Sequence, residues 1–402
     1  MATAGSGAQG RGRAEGGGAA VWLLALGQTL VYAGSYYAFP ALLPDLEAAT
    51  GWSKATLALG PSLAFLIMAS LTVVTGRLVD RGFGGEMLVW GPVLASLGVA
   101  GMALAGSPAV WLAAWALVGV AQAGCLYETC FAFLTRRLGG GARAAITRVT
   151  LVAGFAGTLA FPLGHWVGER LGGLAVFVGV TLLAMPCNLW AVQSLRRRER
   201  AGVAPVPAPP GVLAVALRRP AFWALVACFG LIWLNHGVLI TYVLELFADR
   251  GAGPAMAAAC IGPSQVAGRL LFMLGEARVG NARAMLIALG GVVAASAVLW
   301  LAGLAPALVF GFALAQGAGA GLMSILRPVL IAEILGREGF GAISGAVAMS
   351  PILASAVAPA LGAWMLVAGG PVAVYAACLA MALTGWTIAA LLLRFRAGEE
   401  RG

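Results

Sequence analysis

The sequence predicts an all-α integral membrane protein: twelve transmembrane helices in two pseudo-symmetric six-helix halves. Three observations predict it. The 402 residues are 61% apolar and only 10% charged, with a mean hydropathy of +0.94, far too little polar surface for a soluble chain. The apolar residues fall into twelve runs, each about 20 residues or more, enough to cross a ~30 Å hydrocarbon core at 1.5 Å per residue. Of 25 basic residues, 19 sit on one alternating set of connectors; the opposite set carries Lys54, Arg170 and Arg250. That asymmetry puts both ends in the cytoplasm. Only helices or closed barrels satisfy the backbone in lipid, and the alternating strands of a barrel are absent.

Residues 1–19 are Gly-rich and polar and read as a disordered cytoplasmic tail. Arg11 and Arg13 before an apolar run mimic a leader peptide. The run is too long for one and eleven more follow, so it is the first membrane helix. The first half, 20–195, holds runs at 20–44, 54–76, 87–106, 109–135, 144–168 and 172–195. A cytoplasmic linker, 196–220, follows; it opens with Arg196-Arg197-Arg198-Glu199-Arg200 and is interrupted by Pro205, Pro207, Pro209 and Pro210. The second half, 221–393, holds runs at 221–247, 255–275, 284–304, 305–335, 340–368 and 371–393; residues 394–402 form a short cytoplasmic tail.

The halves echo each other. Leu59-Gly60-Pro61-Ser62 in the second span returns as Ile261-Gly262-Pro263-Ser264 in the eighth. Ala121-Gln122-Ala123-Gly124 in the fourth returns as Ala315-Gln316-Gly317-Ala318-Gly319 in the tenth. Two halves built from a repeat, with a site near the midplane, are a transporter architecture. The Gly317-x-Gly319-x-Gly321 run is mid-helix with no preceding strand, so it is read as helix packing and not as a dinucleotide loop. The net charge of +10 is spread over inner connectors, as membrane insertion requires, and gives no reason to expect nucleic acid. All six cysteines lie inside spans, none at metal-ligand spacing from a histidine. No Walker, zincin or nucleophile-elbow motif occurs, so neither an enzyme nor a cofactor is expected, and transport must draw on gradients.

The loop after the second span reads Gly76-Arg77-Leu78-Val79-Asp80-Arg81-Gly82-Phe83-Gly84. It resembles the loop signature of the major facilitator superfamily, Gly-x-Leu-x-Asp-Arg followed by a further Gly and basic residues. One extra residue precedes the later Gly, and Gly85-Glu86 stand where the signature has a basic pair. The resemblance implies alternating access, with Asp80 and Arg81 helping to close the cytoplasmic side in one state. It also places an Arg three residues before the Gln of the fourth span, where this chain has Gly119 before Gln122.

Ionisable residues within spans are costly and point to function. Glu128, in the fourth span, is roughly 12 Å above the inner surface by its eight-residue distance from Arg136. Arg327, in the tenth, has similar depth; Arg148, in the fifth, is shallower. In the resembled fold the fourth and tenth helices face each other, so a Glu128–Arg327 pair would be an inner gate. A Glu128–Arg148 pair would be structural within one half, and pairing with neither is the third reading. Arg148 alone could also reach the interface by snorkelling.

Arg269 is deeper, with no acid within a turn and Gln265 on the same face. A guanidinium fork suits a carboxylate, which makes a substrate anion its expected partner. The alternative is hydrogen bonding to helix-end carbonyls of the other half. The segment Ser264–Arg269 is similar to the eighth-helix Arg segment of monocarboxylate and oxalate–formate carriers, several of which have an acid where Gln265 stands. His236, beside Asn235 in the seventh span, can relay a proton or remain a neutral hydrogen-bonded group. Gln28, Tyr32 and Tyr36, four apart on the first span, form a polar stripe expected to face a cavity, with interfacial anchoring the other reading for Tyr36.

The expectation is therefore a monomeric transporter of the plasma (inner) membrane, surrounded by lipid. It would move a small organic solute, an anion such as a monocarboxylate, with a proton as candidate coupling ion. A proton-antiporting efflux carrier for drugs or metabolites is the alternative. A membrane enzyme or channel would need a catalytic dyad or a continuous polar lining, and neither is visible.

Overall fold

The structure, a computed structural model, describes residues 6–168, 172–199, 211–250, 260–275 and 279–399, and none of these is in a strand. The chain divides into two compact units, Met1–Ala208 and Pro209–Gly402.

The first unit opens with α1 (Ser6–Val31), a five-residue π-helical segment (Tyr32–Tyr36) and α2 (Ala38–Thr50). The helix starts within the Gly-rich stretch expected to be a disordered tail, its ladder running on ahead of the membrane run although glycine disfavours helix. Next come α3 (Lys54–Asp80), α4 (Gly84–Ala103), α5 (Pro108–Cys125) and α6 (Tyr127–Leu138). Then α7 (Ala142–Ala153), α8 (Ala156–Gly168), α9 (Gly173–Leu182) and α10 (Ala184–Glu199) complete it. Ser53 and Ser107 cap α3 and α5, each side chain accepting a backbone N–H three residues on, and Pro108 takes the first-turn place where its missing N–H costs nothing. Between α3 and α4 the signature loop turns on Gly82 at φ 102°, with N–H bonds from Gly82 to Val79 O and from Phe83 to Leu78 O, both 2.9 Å. Only glycine takes that backbone without strain.

The second unit holds α11 (Val212–Leu217), α12 (Pro220–Thr241), α13 (Val243–Asp249), α14 (Ile261–Gly275), α15 (Asn281–Leu301) and α16 (Leu308–Leu335). The last element, α17 (Phe340–Glu399), bends at Gly369 and Gly370, whose backbones leave helical geometry.

Nine segments of the described residues are long and apolar enough to cross a membrane. Two of them, Pro108–Gly164 and Phe340–Phe395, run 57 and 56 residues, about twice one crossing. Divided at Gly139–Gly141 and at Gly369–Gly370, and with the fifteen-residue α14 added, they give the expected twelve. Outer faces are apolar: Trp90, Leu104 and Val367 are 62%, 82% and 89% exposed, as suits contact with lipid.

Small residues set the helix spacing, because lipid supplies no hydrophobic drive and close backbone contact must do so. In the first unit a Cβ on Gly119 would stand 2.8 Å from Cα and O of Ala64, so α5 lies backbone to backbone on α3. No long side chain fits at Gly119 in this packing. In the second unit a Cβ on Gly317 would meet Ile261 O at 2.5 Å, and one on Gly321 would overlap Gln265 O outright. Gly319 faces the other way, its Cβ position 3.0 Å from Ala288 O of α15. The glycine run is a two-faced packing element, as its mid-helix position predicts.

Candidate substrate site

In the first unit two helices depart from regular geometry at matching points. The first span switches to π-helix over Tyr32–Tyr36, closed by the Tyr37 N–H to Tyr32 O bond of 2.9 Å. The fourth span breaks at Leu126, which is extended (φ −83°, ψ −167°) between α5 and α6. Irregular backbone at membrane depth must have its freed carbonyls satisfied by protein. Here the two irregularities serve each other. Gln28 Nε2 of the first span donates to Cys125 O at the break, 2.8 Å, and Gln122 Nε2 of the fourth donates to Ser35 O of the π segment, 3.2 Å. Thr129 Oγ1 donates to Ala123 O at 2.8 Å. Gln28, Ser35, Gln122 and Thr129 are all buried, so each bond lies in low dielectric, and losing one leaves a carbonyl at a cost of about 1–3 kcal/mol.

Tyrosines leave both irregular points and meet. The Tyr32 ring is 4.5 Å from Tyr127 and 5.6 Å from Tyr36; Tyr127 stacks on Phe131 at 4.8 Å. Tyr36 also meets Phe65 edge-on at 5.7 Å and borders a cavity of about 190 Å³ with Trp115 and Gln122. Glu128 is half-buried in the first turn of α6, and Arg148 is half-buried on the packed neighbour α7.

The second unit gathers its polar groups on α12, α14 and α16. Asn235 is fully buried; its Nδ2 donates to Ser296 Oγ at 3.0 Å and to Cys378 O at 2.8 Å. Gln316 Nε2 lies 3.2 Å from both Asn235 Oδ1 and His236 Nδ1. Gln122 and Gln316, which echo each other in sequence, thus both reach the first membrane span of their own unit, at Ser35 and at Asn235–His236.

Arg269 of α14 is 6% exposed, and its Nε donates to the Gly321 carbonyl of α16 at 3.3 Å. Gly321 O also accepts from Ser324 Oγ at 2.6 Å. This bond runs to a mid-helix carbonyl of its own unit. Arg327, further along α16 and also 6% exposed, has its guanidinium carbon 5.1 Å from the centroid of Trp233 on α12, a cation–π distance.

Of the residues singled out by sequence, Tyr32 and Tyr36 come together, and Arg269 and Gln265 lie at the glycine-lined contact of α14 with α16. Gln28 and Asn235 hold backbone and neighbouring side chains. Asp80 is half-buried at the end of α3, and Arg81 caps it by an N–H bond to Arg77 O. Sequence reasoning missed Tyr127, Trp233 and Ser324, which carry no periodic signal. It also missed the ion pair of Arg196 with Glu86, 2.5 Å, between the last turns of α10 and the first turn of α4. The Glu86 that replaces a basic signature residue is thereby accounted for.

The sequence pattern of the Major Facilitator Superfamily matches residues 24–315. Among solved structures, a bacterial homologue of the iron transporter ferroportin in an outward-facing state matches with a TM-score of 0.75 at 16% identity, over 93% of this chain and 99% of that one. A single-site variant of the E. coli fucose:proton symporter FucP matches with a TM-score of 0.64 at 14% identity, over 92% and 98%. A second FucP structure, in the outward conformation, gives 0.64 at 13% identity over the same shares. These proteins share the fold of the present chain, and the family pattern covers well over half of it. The protein is a transporter, not an enzyme, and it belongs to the major facilitator superfamily.

Proposed function

We propose that this transporter moves a small organic anion, a monocarboxylate in the first place, by alternating access. One observation carries the reading. Among the described residues, two charged side chains fall in the buried class, Arg269 and Arg327; both are cations, both lie in membrane helices of one unit, and no described carboxylate falls in that class. Burying a guanidinium in a membrane is expensive, and such residues mark substrate paths. Arg269 recognises the carboxylate with Gln265 beside it, and the bond from its Nε to Gly321 O orients the fork. Asn235 and Gln28 support the neighbouring backbone, while Tyr32 and Tyr36 face the organic part. Asp80, Arg81, Glu128, Arg148 and Arg327 belong to gating or coupling. A proton is the proposed coupling ion, and the inner membrane the proposed location.

A second reading has its own observation. The Tyr32–Tyr36–Tyr127 cluster beside the half-buried Glu128 would suit an organic cation, as in a proton-antiporting efflux carrier. Matched pairs of acids and amines separate the two: benzoate against benzylamine, and propionate against propylamine. Thermal stabilisation of the purified protein by the acids supports the anion reading; stabilisation by the amines alone overturns it.

The proposed orientation has both termini cytoplasmic. Gly106 and Gly140 report on it, because a Cβ at either meets nothing within 4 Å. In a cysteine-free background, Gly106→Cys is expected to react with an impermeant thiol reagent in intact cells and Gly140→Cys only after lysis. The reverse pattern would invert the topology.

A further inference from the structure

Hydrogen bonds of fixed sense in the second unit together set the proton of an imidazole. The Cys378 carbonyl can only accept, so the Asn235 group 2.8 Å from it is the amide NH2. The same NH2 reaches Ser296 Oγ, whose own proton is committed to Val292 O at 3.1 Å. Asn235 is thereby fixed from two sides, and its Oδ1 faces Gln316. The Gln316 group 3.2 Å from that oxygen is therefore an NH2, a donor without a lone pair to offer. This nitrogen also stands 3.2 Å from His236 Nδ1. Nδ1 must accept, so the neutral ring carries its proton on Nε2. A proton on Nδ1 would set two donors against each other. Turning the Gln316 amide to relieve that would set its Oε1 against Asn235 Oδ1, two acceptors in a buried place.

The Nε2–H has no hydrogen-bond partner among the described residues, and His236 is half-buried where Asn235 is fully so. His236 lies one turn beyond Trp233 on the same face of α12, and Trp233 is the ring that touches Arg327. We infer that His236 is a neutral, tautomer-locked hydrogen-bond donor to the substrate's anionic group, and not the carrier of a coupling proton. This rests on the anionic reading of the substrate for its second part only; the tautomer follows from the bonds alone.

The two parts are tested separately. The chain has two histidines, so His165→Gln leaves His236 as the only imidazole. Solid-state ¹⁵N NMR of that variant in lipid vesicles is expected to show the Nε2–H tautomer throughout the near-neutral range in which an ordinary imidazole titrates. An Nδ1–H or imidazolium signature there would overturn the lock. For the contact, binding of acetate, propionate, lactate and benzoate is measured on otherwise wild-type protein. His236→Leu is expected to weaken the tightest of these roughly 10- to 100-fold, as for a lost hydrogen bond to a charged group. His236→Gln, whose amide can present an N–H near the place of Nε2, is expected to recover most of that loss. Equal weakening by both in folded protein would overturn the substrate contact. Failure of all four acids to bind the wild type would overturn the anionic reading, while the NMR result would still decide the tautomer.

Discussion

Arg269→Ala is expected to abolish saturable transport of a monocarboxylate while leaving a folded, monodisperse protein. Arg269→Lys is the sharper variant. It keeps the positive charge but loses the planar fork and the Nε that bonds Gly321 O at 3.3 Å. Binding is expected to weaken by roughly 1.5–3 kcal/mol, or about 10- to 150-fold, the range for hydrogen bonds to charged groups. The effect belongs in the binding constant measured by titration, with the melting temperature of the empty protein little changed. Wild-type affinity in Arg269→Ala would remove Arg269 from the recognition site. A Lys variant as good as wild type would show that charge alone is read.

Gly321→Val is expected to be the most damaging packing change in the second unit. A Cβ there would overlap Gln265 O and stand 2.8 Å from its Cα, and both are backbone atoms that cannot swing aside. Helices α14 and α16 would have to separate, at a cost of about 3 kcal/mol, the upper part of the range for overpacking. The same separation would pull the Gly321 carbonyl from Arg269, so substrate affinity is expected to fall with thermal stability. Gly262→Ala is the control on α14, since a Cβ there meets nothing within 4 Å. Unchanged stability in Gly321→Val would contradict the backbone-to-backbone contact.

The fold was largely legible because hydropathy and loop charge act over whole spans. Twelve runs and an uneven distribution of arginine are long-range signals that no single residue can obscure. The family resemblance rested on nine loop residues together with the twelve-span, six-and-six layout; of the nine, Gly82 has a plain physical role in its left-handed turn. The buried arginines were legible for the same reason that they are costly. What sequence did not show was irregular backbone. Pro61, Pro92, Pro162 and Pro328 all sit inside continuous helices, while the break in the fourth span falls at Leu126, with neither glycine nor proline at the break itself. That break is held by a tertiary bond from Gln28, 97 residues away, which local propensity cannot register, together with a bond from Thr129 to a carbonyl six residues back in the same span. Gln28 was therefore read as part of a cavity stripe, when one end of its amide is committed to Cys125 O. The sequence likewise places Asn235 beside His236 without showing what holds it. Its three partners, Ser296, Gln316 and Cys378, come from sequence separations of 61, 81 and 143 residues.

The central claim is that a buried guanidinium on α14 selects a small organic anion. Counterflow in proteoliposomes tests it most directly. Vesicles are preloaded with benzoate or benzylamine, and entry of the labelled counterpart is followed for wild type and Arg269→Ala. The account predicts saturable benzoate exchange in the wild type, its loss in Arg269→Ala, and no benzylamine exchange in either. Benzylamine exchange that survives Arg269→Ala, with benzoate inert in the wild type, would contradict it.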